Sequence, residues 1–402
     1  MLSGAWTARL IVFVAFFDLF SQFPIVAPHA RALGAGPAMI SVMVNAYDLA
    51  NLLGNLATPF LLVIWGRKRP LVVGLLVAAA AQVAYGFVAS PGQFALLRVV
   101  HGLAQAILSP GAFVVLSEAV PPAKRAQAMG TAGVFIAVAA VLGPFASGVA
   151  ADRLGARVVF LAVATLLGIT AIVTALFSSP EGVASEEREA GHSPPRQVSW
   201  ASMVALIRRP ELLGAYAAAL TWTAGIGTLV VHLPLQLENA RMRGSAYGVY
   251  AMVALVLFAG PAPWLANRFG RLRPTAAGLA IIGTSLCSLG AVVPSAYGVY
   301  GAMALFGVGF GLLFPAVTAL VADASEPHER GAAYGIFYAA YSLGVAIGGL
   351  GSGQLARAFG DSSPAPFFTF GVLALLMAPA ILVAGRAAAR PRVVGHAAET
   401  RT

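Results

Sequence analysis

Charge is what this sequence has least of. Only 10% of its 402 residues are Asp, Glu, Lys or Arg, while 59% are hydrophobic; soluble domains carry about 25% charged residues. So few charges cannot cover a water-facing exterior, which leaves lipid as the solvent for most of the surface and excludes a soluble enzyme. Cysteine is nearly absent too: the single Cys287, inside AIIGTSLCSLGAVV, excludes an internal disulfide and fits no metal-site spacing. No metal and no cofactor is expected. The first apolar run lacks a small-residue cleavage site, so it is expected to be a retained span rather than a secretory signal.

What is present is a succession of apolar runs. A spanning helix needs about 20 apolar residues. Runs bounded by Pro, Gly and charge clusters predict spans at 9–28, 39–64, 70–89, 94–118, 127–150, 157–178, 211–235, 246–266, 274–293, 297–322, 331–356 and 365–386. The net charge of +10 is explained by its placement. If the loops alternate sides, eighteen Lys and Arg fall on the side of the N-terminus, six on the other, and Arg98 alone lies within a span. Positive loops stay cytoplasmic, so both termini are expected inside a bacterial-type inner membrane. The basic turn GRKRP (66–70) is then an orientation signal, and no nucleic acid is expected as a partner.

The polar stretch SSPEGVASEEREAGHSPPRQVSW (178–200) divides the spans six and six. The expected organisation is an N-terminal bundle (1–178), a cytoplasmic linker (179–209), a C-terminal bundle (210–388) and a cytoplasmic tail (389–402). The halves also resemble each other. RAQAMGTAGVFIAVAAVLGPFASG (125–148) matches RGAAYGIFYAAYSLGVAIGGLGSG (330–353) at an offset of 205, and GRKRP matches GRLRP (270–274) at 204. Duplicated six-helix halves point to a transporter in which one half rocks against the other about a site near the midplane. The fold class expected is an all-α membrane protein, with twelve transmembrane helices as two pseudo-symmetric six-helix bundles.

Ionisable groups inside spans cost about 3 kcal/mol on insertion scales and mark functional candidates. Asp18, in VFVAFFDLFSQFP (12–24), lies about nine residues into the first span, ~14 Å at 1.5 Å per residue. Asp48 in span two and Arg98 in span four are expected near the same depth, with His101 on the face of Arg98 one turn deeper. Asn45, Asp48 and Asn55 form one stripe, either the wall of a wet cavity or hydrogen-bond glue between helices. Either Asp18 or Asp48 is expected to carry a coupling proton against Arg98; the alternative is a static ion pair that sets packing. The C-terminal half offers aromatic candidates instead: Trp222, Tyr338 and Tyr341. With Asn45, Asn55 and His101 they make up the expected substrate site, and His232, near the outer end of span seven, is a candidate gate.

At these residues the chain resembles the major facilitator superfamily, and within it the twelve-span drug:proton antiporters. Span five carries Gly130, Ala139, Gly143-Pro144 and Ser147-Gly148 at the spacing of the antiporter pattern, with Ala139 and Ser147 as small replacements for glycine. Arg98 and Gly102 match the family's Arg-x-x-x-Gly motif, whose second-half counterparts are Met303 and Gly307. The loop after span two departs from its motif, with Val63 where an Asp is expected; the later copy has Asn267 there. The resemblance implies a fold of two rocking bundles, an antiporter stretch at the interface between the halves, and a small-molecule substrate exchanged for protons across the bilayer, by a monomer. The leading expectation is a proton-coupled exporter of small hydrophobic or cationic compounds. Its rivals are an uptake symporter or uniporter for a polar or anionic metabolite, with Arg98 and His101 as ligands, and a non-transporting receptor on a transporter fold.

Overall fold

A computed structural model describes residues 4–121, 125–177, 200–326 and 329–388, and among them every regular element is a helix. In chain order these are α1 (Gly4–Ser21), α2 (Val26–Ala32), α3 (Pro37–Ile64), α4 (Lys68–Tyr85), α5 (Pro91–Glu118), α6 (Arg125–Leu154), α7 (Ala156–Phe177) and α8 (Trp200–Ile207). They continue with α9 (Pro210–Gln236), α10 (Ala240–Ala259), α11 (Pro261–Phe269), α12 (Leu272–Val292), α13 (Ala296–Asp323), α14 (Arg330–Phe359) and α15 (Ala365–Ala388). Eleven of them are long and apolar enough to cross a membrane. The twelfth long helix, α3, has 28 residues and carries the Asn/Asp stripe. Most of the expected linker, 179–199, and all of the tail, 389–402, lie outside the described residues.

Two expected spans are broken rather than continuous. The first ends at Ser21 and resumes as α2, because Pro24 disfavours helical geometry in the residue before it and has no N–H to donate. The eighth breaks at Gly260, where Pro261 starts α11. Elsewhere proline stays inside a helix, at Pro110, Pro144, Pro234, Pro315 and Pro379. Pro110 and Pro315 are again related by the offset of the repeat.

The repeat is visible in packing. A Cβ on Gly143 would meet Phe20 and Ser21 of α1 at 3.1 Å, and one on the equivalent Gly348 would meet Ala224 of α9 at its backbone. Gly148 packs on Gly244 of α10, and the equivalent Gly353 packs on Ser41 of α3. Gly102 sits under the Tyr47 carbonyl as Gly307 sits under that of Tyr250. Even the loop contacts repeat: Arg67 pairs with Glu118 at 2.9 Å, and Arg271 with Asp323 at 3.0 Å. Small residues let main chains approach where no larger side chain fits, which is how helices associate without a hydrophobic driving force in lipid.

The halves join chiefly through α6 with α10 and α3 with α14. The contacts gather at the far end, away from the N-terminus. There Gly148 meets Gly244, Asn45 lies against Gly349, Phe23 meets Tyr247 with ring centres 5.6 Å apart, and Asp152 is 3.6 Å from Arg241. Arg31 of α2 bonds Asp361 at 2.9 Å and the Leu235 carbonyl at 3.4 Å. In the antiparallel register set by Ser41–Gly353 and Asn45–Gly349, Leu53 would face Tyr341. Leu53 is instead 64% exposed and Tyr338 52% exposed, so α3 and α14 part toward the near end.

Candidate functional site

The midspan acid of α1 is fully enclosed. Asp18 Oδ1 accepts from the side-chain amide of Gln22 at 3.0 Å and from that of Gln82, and Oδ2 lies 2.9 Å from His101 Nε2. His101 Nδ1 is 3.1 Å from the Tyr85 hydroxyl, and both Asp18 and His101 have no exposed surface. The elements explain the assembly. Gln22 lies one turn beyond Asp18 on the same face, Gln82 and Tyr85 sit one turn apart on α4, and Arg98, His101 and Gln105 line one stripe of α5.

Arg98 is in this cluster, but it is not the partner of Asp18 as expected. Its Nε and Nη2 donate to the carbonyls of Met43 (3.3 Å) and Val44 (2.8 Å), Nη1 donates to Gln22 Oε1, and its guanidinium stacks 4.5 Å over the Tyr47 ring. The long side chain reaches two main-chain acceptors on α3, and Gln22 bridges it to Asp18. Asp48 does not join the cluster. It makes no hydrogen bond there, but is half-buried on α3 within electrostatic reach of Arg98 as well as of Tyr341.

The expected polar stripe divides. Asn45 is buried, bonds the Ser41 carbonyl at 2.7 Å and lies under Gly349, so it serves the contact between the halves. Asn55 bonds Asn51 at 2.9 Å and is half-buried, on the part of α3 that leaves α14. Across the gap, Trp222 packs on Phe310 (5.2 Å), Phe314 (5.8 Å) and Tyr341 (5.4 Å), and Tyr341 lies 6.4 Å from Tyr338. At the repeat offset, His101 corresponds to Phe306, Gln105 to Phe310 and Arg98 to Met303. One half therefore carries the buried polar cluster where the other carries aromatic rings.

Several residues were missed by the sequence reasoning. Gln22 and Gln82 hold the carboxylate; the i, i+4 spacing of Asp18 and Gln22 was a usable signal for the first, and nothing local marked the second. Phe13 with Phe17 and Phe16 with Phe20 pair along half-buried α1, Phe20 against Gly143 of α6, and Phe23 just beyond the helix packs on Tyr247 of the opposite half. Of the antiporter stretch, Gly148 and Pro144 meet α10, Gly143 meets α1, and Gly130 lies near the start of α6. The candidate gate His232 is buried, bonds the Ser363 carbonyl at 2.9 Å and packs 5.1 Å from Phe367. Both partners belong to its own half. Among the described residues no His, Cys, Asp and Glu cluster could hold a metal.

The chain is similar in sequence and in fold to known membrane transporters. The chain is 27% identical over 368 residues to a riboflavin transporter of Brucella anthropi, covering 88% of each chain. It is 29% identical over 265 residues to the probable actinorhodin transporter of Streptomyces coelicolor, covering 59% of this chain and 44% of that one. The fold superposes on the crystal structure of the nucleoside transporter NupG with a TM-score of 0.76 at 13% identity, covering 95% and 99% of the two chains. The sequence signature of the Major Facilitator Superfamily matches residues 10–260 and 239–401, and this chain belongs to that family.

Proposed function

We propose that this transporter exports small hydrophobic or cationic compounds in exchange for protons, by alternating access. The observation that carries the reading is the enclosed Asp18. A carboxylate at membrane depth, held by three donors and shielded from the gap, is a group that can exchange a proton without exchanging substrate. On the side of the gap stand half-exposed Tyr338 and partly buried Tyr341, with Trp222 buried behind them and half-buried Asp48 as the acid. That lining suits an apolar body with a positive charge. The small-residue stretch around Gly148 supports export through its resemblance to the antiporters. In this reading the chain acts as a monomer in a bacterial-type inner membrane, with both termini and the 179–209 linker cytoplasmic, and residues 1–178 and 210–388 rock against each other.

The test is transport in proteoliposomes carrying an internal pH dye, with ethidium as the probe. Ethidium movement is expected to drive opposite proton movement, and Asp18→Asn is expected to abolish that proton movement. Normal coupling in Asp18→Asn removes Asp18 from the mechanism. A second reading, uptake of a polar metabolite, is favoured by the likeness to the riboflavin transporter over 88% of both chains. It loses its anion ligands, because Arg98 and His101 are committed inside the N-terminal half. Saturable riboflavin uptake without ethidium transport would select it.

A further inference from the structure

We propose that the exchanged proton is carried by a joint Asp18–His101 unit whose state is relayed to Tyr85, with His101, rather than Arg98, as the proton-carrying partner of Asp18. The inference rests on the proton-coupled reading above. It follows from counting donors and acceptors.

A carboxylate only accepts, and the two glutamine amides already donate to Oδ1. With Asp18 ionised, His101 Nε2 must donate to Oδ2, so its Nδ1 carries a lone pair and accepts from the Tyr85 hydroxyl. Asp18, His101 and Tyr85 are then satisfied toward one another, while the Gln82 and Gln105 amide oxygens stay without a partner, and one basic site remains in the chain: Nδ1. A proton arriving there makes an imidazolium that donates at both ends, to Asp18 and to the Tyr85 oxygen. A proton arriving on Oδ2 instead forces the other tautomer, which also donates from Nδ1 to Tyr85. Either way Tyr85 turns from donor to acceptor, no heavy atom need move, and loading the proton is registered at the far end of α4.

Arg98 cannot take this role. Its charge is permanent, and its donors are used by the Met43 and Val44 carbonyls and Gln22. What it does is balance charge: Asp18 and Arg98 make the empty cluster neutral, and the loaded cluster carries one positive charge. The groups facing His101 are Asp18 and Gln22 from α1, the Tyr47 ring at 5.2 Å from α3, Gln82 and Tyr85 from α4, and Arg98 and Gln105 from α5. Asp48 is the next residue after Tyr47. A cationic substrate drawn to Asp48 therefore approaches the loaded cluster from behind Tyr47, and in a low-dielectric interior their repulsion favours release of the proton. This couples the two cargoes through charge, with no shared binding site.

Two measurements on the full chain test the proposal. In 15N-histidine spectra the His101 signal, assigned by its loss in His101→Gln, is expected to show the Nε2–H form in the empty cluster and a form protonated at Nδ1 once acidification loads the proton. In Asp18→Asn, where the carboxylate facing Nε2 becomes an amide, the His101 signal is expected to lose its preference for the Nε2–H form. A His101 signal that keeps one form throughout, or is indifferent to Asp18→Asn, overturns the proposal. His101→Gln is expected to keep ethidium binding, read as a melting shift of the purified full chain, and to lose ethidium-driven proton movement in proteoliposomes; full proton movement in that variant also overturns it. If wild-type protein moves ethidium without protons, the proposed function falls and the transport role of the pair falls with it. The histidine spectra then show separately whether the proton site exists.

Discussion

Arg98 spends its guanidinium on two main-chain carbonyls, one glutamine and one aromatic face, an arrangement that a lysine cannot reproduce. Arg98→Lys is therefore expected to leave at least one of these buried acceptors unpaired and to destabilise the protein by about 1–3 kcal/mol, measured as a lowered unfolding midpoint in detergent. Because Arg98 does not touch Asp18, His101→Gln and Arg98→Lys should affect different readouts, proton movement for the first and stability for the second. The sequence made the depth of this cluster legible, since helical rise alone places Asp18 and Arg98 at similar levels. It did not make the pairing legible. Which of Arg98, His101 and Asp48 reaches Asp18 depends on how α1, α3 and α5 are rotated about their axes, and a one-residue change in rotation would exchange the partners.

At the scale of elements, the spacing of small residues in α6 told more than any single charge. Gly148 and Gly244 pack against each other, and a Cβ at Gly148 would lie 2.6 Å from both the Ala240 carbonyl oxygen and the Gly244 Cα. Main chain stands on the other side, so no side-chain movement relieves the clash. Gly148→Val is expected to keep the far end from closing, so that a thiol placed there becomes reactive to a water-soluble maleimide. Gly133→Ala, on the same helix with open space around its Cβ position, should leave labelling unchanged. The pattern of Gly143, Pro144 and Gly148 was visible in the sequence; the division of its surfaces between α1 and α10 was not, because a helix's neighbours are set by the packing of the whole bundle. The breaks after Ser21 and at Gly260 were hidden by apolar runs that continue through them, although Pro24 and Pro261 were present as signals.

For the whole molecule, the expected spans and duplication were enough to anticipate two bundles, and Gly143 on α1 and Gly148 on α10 have their counterparts in Gly348 on α9 and Gly353 on α3, as the offset requires. The way the bundles meet could not be read in advance, since a rocking transporter has more than one arrangement of the same halves. Here the far end is fastened by Arg31–Asp361 and Asp152–Arg241, at 2.9 and 3.6 Å, and all four side chains are partly exposed, from 28 to 55%. Exposed pairs contribute about 0.2–1 kcal/mol each, so removing both should lower the stability of the closed form by at most about 2 kcal/mol. The same energy acts fully on the equilibrium between closed and open far ends, because opening breaks both pairs. Losing up to about 2 kcal/mol shifts that ratio by up to about 30-fold, whereas half that energy shifts it only about fivefold. Spin labels at Ser90→Cys and Ser295→Cys, in a Cys287→Ser background, cap equivalent helices of the two halves at this end. Asp152→Asn with Asp361→Asn is expected to lengthen their distance distribution while stability against unfolding falls by no more than about 2 kcal/mol. An unchanged distribution would mean that the glycine contacts hold the far end without help from charge, and the combination with Gly148→Val would then be the variant that opens it.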